Sequence, residues 1–184
     1  MLLAGDFYTN PDLARRGTTG DMEDMWSSFA ERFRWVAGGA GNHDLFAGKD
    51  SFGNVFRNHA NVYPLDGDLV EIDDLRVGGI SGIFGTPNRK PWRHDEAAFE
   101  EMFRLTVSEK PNVLLLHEGP AHPADRLRGS GFIRELLVEH SEEERPALVV
   151  NGHCHWPKPM VDLEESGPTV MNVDARAVVL VRER

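Results

Sequence analysis

The chain has 184 residues, 40% hydrophobic and 27% charged, a balance that supports a buried core and excludes disordered and collagen-like classes. Its formal net charge of −10 argues against broad nucleic-acid binding or an acidic membrane partner, since both need a basic face. The single cysteine, Cys154, leaves no internal disulfide or thiolate zinc cluster, and no apolar run approaches the roughly 20 residues that cross a bilayer, so one cytosolic domain over residues 1–184 is expected.

Short apolar runs alternate with amphipathic segments, the pattern of an α/β fold. Leu2–Ala4 reads as a strand that runs straight into Gly5-Asp6. A weakly amphipathic helix from Asp24 to Phe33 precedes a strand at Trp35–Ala37, which leads through glycines to Asn42-His43-Asp44. Leu69–Ile72 and Arg76–Ile80 read as a hairpin. Asp95 is placed to cap a helix whose Phe99, Met102, Phe103 and Thr106 share one face. The strand Asn112–Leu116 ends in His117, and a helix from Ser130 to about Glu139 puts Ile133, Leu136 and Leu137 together. The strand Ala147–Val150 leads to Gly152-His153-Cys154-His155, and Thr169–Asn172 with Val178–Val181 is expected to form a second hairpin.

Four strands thus end in polar residues of metal-binding type: Asp6, Asn42-His43-Asp44, His117 and His153-Cys154-His155. Ligands bind at the carboxyl ends of strands in open α/β sheets, so neighbouring parallel strands would bring these groups into one crevice. On an extended backbone His153 and His155 point to the same side and Cys154 to the other, which favours Cys154 as a small buried side chain. His59, His94, His122 and His140 fall outside these clusters and read as surface or structural residues. Arg16, Arg89, Trp92 and Arg93 lie on loops that could reach a phosphate, and equally read as exposed loop residues.

Gly5-Asp6, Gly41-Asn42-His43-Asp44, His117 in LLLHEGP and Gly152-His153-Cys154-His155 together resemble the calcineurin-like metallophosphoesterases. The resemblance implies an αββα sandwich of two sheets and a pair of divalent ions, Mn, Fe or Zn, acting on a small phosphorylated substrate. By the same resemblance Asp6 is the bridging carboxylate, Asn42, His117 and His153 complete the second metal site, and His155 belongs to the first. His43 corresponds to the catalytic histidine over the phosphate, with Asp44 placed to orient it. Two such ions, roughly 3.5–4 Å apart, hold a hydroxide for in-line attack on a phosphomonoester or phosphodiester.

The family's Asp-x-His motif, which precedes Gly-Asp on the first strand, has no counterpart in this sequence. The expectation is therefore a member lacking the first strand and helix, and the alternative is a degenerate relative that binds at most one metal and does not turn over. The third residue after Asp6 is Thr9, where many protein phosphatases of the family carry an aspartate.

Overall fold

The computed structural model describes residues 1–8, 12, 18–46, 52–87, 92–141, 143–165 and 167–181; Thr9, Arg16 and Arg89 lie outside them. In chain order the elements are β1 (Leu2–Leu3), β2 (Gly20–Asp21), α1 (Glu23–Ala30), β3 (Val36–Gly38), β4 (Asp44–Leu45), α2 (Phe52–Val55), β5 (Val62–Pro64), β6 (Asp68–Ile72) and β7 (Leu75–Ile80). They continue as β8 (Ile83–Phe84), β9 (Arg93–His94), α3 (Glu96–Ser108), β10 (Val113–Leu116), α4 (Gly131–Glu139), β11 (Leu148–Asn151), β12 (Met160–Asp162) and β13 (Thr169–Asn172).

Side-chain alternation along the strands divides the apolar residues into three layers. One sheet has the order β1-β3-β5, all parallel. The other has the order β12-β13-β11-β10-β7-β6, with β7, β10, β11 and β13 parallel and β6 and β12 antiparallel. Ala37, Leu65, Val77, Val113, Leu115 and Val150 pack together between the sheets. The opposite faces of the same strands carry helices: Leu3, Val36 and Val62 pack with Trp26 of α1, Phe52 of α2 and Phe56 just beyond it. Leu114, Leu116 and Val149 pack with Phe99, Phe103, Ile133 and Leu136 of α3 and α4. The result is the expected αββα sandwich.

The helices begin where local chemistry predicts. The Asp95 carboxylate accepts from Ala98 N at 2.9 Å and the Ser130 hydroxyl from Ile133 N at 3.2 Å, caps of about 1 kcal/mol each. The first hairpin forms as expected, with Leu69 opposite Gly78 and Ile72 opposite Leu75.

The second hairpin does not. β13 is flanked on one side by β11 and on the other by β12, so neither edge is free for residues 178–181. Beyond β13 the chain turns at Val173, whose carbonyl accepts from Arg176 N at 3.0 Å. The Arg176 guanidinium reaches back to Asn172 Oδ1 at 3.2 Å, and Val178–Val181 run on exposed.

Candidate metal centre

The two sheets meet at the carboxyl ends of β1, β3, β10 and β11. The two-sheet arrangement is as expected, but the four strands are not all neighbours: Asp6 and Asn42 follow strands of the small sheet, and His117 and His153 follow strands of the large one. Hydrogen bonds join the two edges. Gly82 N–H donates to Ala40 O at 2.8 Å, and the Ser81 hydroxyl accepts from Ala40 N at 2.8 Å while donating to Leu65 O at 2.9 Å.

Glycine is required where Asp6 meets the Asn42 loop. A Cβ on Gly41 would lie 2.1 Å from Asp6 Oδ1, and one on Gly5 would lie 2.3 Å from Gly41 N. The close approach lets Asp6 Oδ1 accept from His43 N at 2.8 Å, while Asp44 Oδ2 accepts from Asp6 N at 2.9 Å and Gly41 N at 2.8 Å. Asp6 and His153 both take left-handed backbone, with φ 55° and 62°, a conformation that costs a non-glycine residue on the order of 1 kcal/mol.

His117 is the buried centre of the arrangement. Its Nδ1 lies 2.7 Å from Ala4 O, and a carbonyl only accepts, so Nδ1 carries the proton. Nε2 then faces Asp6 Oδ2 and Asn42 Oδ1, each at 3.2 Å. His153 stands against the same ring, with centroids 5.1 Å apart at 66°. Asp6, His117 and His153 each offer a ligand atom, all within 4.8 Å of one another.

A neutral imidazole, a carboxylate and an amide oxygen turned toward one another place electron pairs face to face, which a cation or an added proton must resolve. The proton solution shows in the electrostatics. Burial opposes charging His117, but the hydrogen bond and charge of Asp6 outweigh it and raise its pKa. Burial likewise acts to raise Asp6, and His117 outweighs it, so the carboxyl is held below its ordinary value. Although His153 is exposed over much of its surface, lost hydration and then the charge of His117 push its pKa down to about 4. It is neutral at pH 7, with the lone pair of one ring nitrogen free for a ligand bond. Two imidazole nitrogens with carboxylate and amide oxygens suit a borderline divalent ion such as Mn, Fe or Zn, so these residues fit a metal.

The other predicted residues sit differently. His155 is not part of that cluster; its Nδ1 pairs with Asp174 Oδ2 at 3.1 Å. The same-side expectation assumed an extended backbone, but His153 is left-handed and Cys154 N–H turns back to Gly152 O at 2.7 Å. Cys154 is a partly buried free thiol whose pKa burial pushes up. Asp44 does not orient the His43 ring. Its carboxylate serves the Asp6 and Gly41 amides, Oδ1 is buried without a hydrogen-bond partner among the described residues, and burial pushes its pKa up to about 6.

Among the described residues the His43 ring is partnered by Thr19, whose Oγ1 lies 3.3 Å from Nδ1. Sequence reasoning missed Thr19, which reaches the site because β2 pairs with β4, Gly20 opposite Asp44.

Among the described residues, no helix is long and apolar enough to cross a membrane. No curated protein matches the chain. Among solved structures, 16 chains match. One crystal structure is similar with a TM-score of 0.61 and 13% identity, over 83% of this chain and 62% of that one. It shares the fold, and this chain spans about three-fifths of its length. The family model described as calcineurin-like phosphoesterase matches residues 1–157, which include the full run from the Asp6 strand through the His153 loop. The chain belongs to the calcineurin-like phosphoesterase family.

Proposed function

We propose that the chain is a metal-dependent phosphoesterase that hydrolyses a phosphomonoester or phosphodiester of a small substrate. The observation that carries this reading is the meeting of Asp6, Asn42, His117 and His153, from two sheets, around one set of facing electron pairs. In this reading those four residues hold one divalent ion, and Asp6 with His155 takes part in holding a second. The ions, when bound, neutralise phosphate oxygens and lower the pKa of bound water. His43 presents its imidazole to the leaving-group oxygen as proton donor, with its main chain fixed by Asp6 and its ring by Thr19.

A second reading, one bound ion and no turnover, is favoured by the pairing of His155 with Asp174. The metal-to-protein ratio after loading with Mn, measured beside hydrolysis of bis-p-nitrophenyl and p-nitrophenyl phosphate, separates the two. A ratio near two with turnover supports the dinuclear enzyme, and a ratio near one without turnover supports the alternative. A ratio near zero overturns both.

A further inference from the structure

β8 and β9 form a two-stranded ribbon that pairs Ile83 with Arg93 and Phe84 with His94. The ribbon is rooted beside the metal centre on both sides. Glu118, next to His117, donates its N–H to Gly82 O at 3.3 Å. Trp92, next to Arg93, donates Nε1–H to Asp44 O at 2.9 Å, which ties the base of Arg93 to the residue after His43. The Trp92 ring also packs edge-on against Phe52, with centroids 5.2 Å apart.

The Phe84 peptide groups connect two charged side chains. Its N–H donates to Glu118 Oε2 at 2.9 Å, and its carbonyl accepts from Arg93 Nη1 at 3.3 Å. Gly85 leaves the seat for the guanidinium, since a Cβ there would lie 2.5 Å from Nη1 and 3.0 Å from Cδ. Arg93 Nε is buried and has no hydrogen-bond partner among the described residues. The positive charge acts on both His153 and Glu118. A guanidinium whose visible partner is a neutral carbonyl, with a buried N–H left without an acceptor, is poised for an anion, and its planar fork matches phosphate.

We propose that Arg93 is a substrate-phosphate binding residue of this centre, and that Glu118 is a positioning residue that fixes the Phe84 peptide bracing it. The inference rests on the phosphoesterase reading above and adds to it a protein cation that grips the substrate. The phosphate is then held from one side by the metal centre and from the other by the ribbon.

Titration of inorganic phosphate into the Mn-loaded 184-residue chain by calorimetry, with metal content measured on the same samples, tests this. Arg93→Ala is expected to weaken phosphate binding by about 10-fold or more, the scale of one lost charge-assisted contact, with metal content unchanged. Arg93→Lys should recover part of the loss, because the charge remains while the fork does not. Glu118→Gln should raise KM for p-nitrophenyl phosphate more than it lowers kcat. Phosphate binding by Arg93→Ala within about twofold of the parent, at equal metal content, overturns the proposal and leaves the phosphoesterase reading standing. Loss of metal in Arg93→Ala also overturns it, since the residue would then serve the centre itself. A parent chain that takes up no metal, or that loads metal and binds no phosphate, overturns both.

Discussion

The Thr19 hydroxyl lies 3.3 Å from Nδ1 of His43, so the histidine ring is oriented by a neutral partner, while the neighbouring Asp44 is turned to the backbone of Asp6 and Gly41. A hydroxyl fixes ring direction without adding negative charge beside the imidazole. Thr19→Val should lower kcat about 2–10-fold, the scale of one neutral hydrogen bond, and leave metal content unchanged. His43→Ala should lower turnover by about 10²–10⁴-fold, as for loss of a general acid, again with metal retained. Unchanged kcat in either variant would remove that residue from the mechanism.

His153 and His155 should separate in a metal-binding assay. His153→Ala removes a member of the Asp6–His117 cluster and should lower occupancy of the tighter ion. His155→Ala and Asp174→Asn, which break one pair, should leave that ion bound and affect only a weaker second one. Equal loss of the tight ion in all three variants would contradict this division.

Gly41→Ala puts a methyl 2.1 Å from the present position of Asp6 Oδ1. Overpacking of this kind costs about 1–3 kcal/mol, and here the side chain that must move is Asp6, a metal ligand in the proposed reading. The expected outcome is a lower melting temperature together with reduced metal uptake. An unshifted melt with normal uptake would show that the Gly5–Gly41 approach is not required.

Asp66 supplies a pH prediction. Its Oδ1 accepts from Ser81 N at 3.1 Å, and burial raises its pKa even though the charge of His94 opposes the shift. A carboxyl raised by folding binds its proton more tightly in the native state. Its stabilising contribution is therefore present below the ordinary carboxylate range near pH 4 and is lost as pH rises through the raised value. The stability difference between Asp66→Asn and the parent, from urea midpoints, should shift in favour of the variant between about pH 4 and pH 7. A constant difference across that range would refute the raised pKa.

The fold was legible because the strands that build the sheets are apolar runs with clear ends. Leu114 and Leu116 face the helices and Val113 and Leu115 the other sheet, so that run reads as a strand buried on both faces. Asp95 announced its helix by cap chemistry, and the helix after Ser130 was legible from the spacing of Ile133, Leu136 and Leu137. Asp6, Asn42, His117 and His153 were legible as residues placed at strand ends. Thr19 was not, since its contact with His43 depends on a ladder of two residues per strand that leaves no periodic signal. The same-side reading of His153 and His155 assumed extended chain, and φ at His153 is 62°, so alternation does not apply there. Val178–Val181 look like a strand by composition, but no edge of β13 remains to receive them.

The left-handed backbone at Asp6 and His153 gives the two positions an unusual evolutionary exposure. Glycine would relax both turns and, on backbone grounds alone, make the metal-free fold more stable. Random drift toward stability would therefore erode these two residues early in a lineage that had stopped using its metal. Aspartate and histidine at these two turns, one beyond a strand of each sheet, are what the proposed metal-holding role requires, since a bound ion would restore what the strained turns cost.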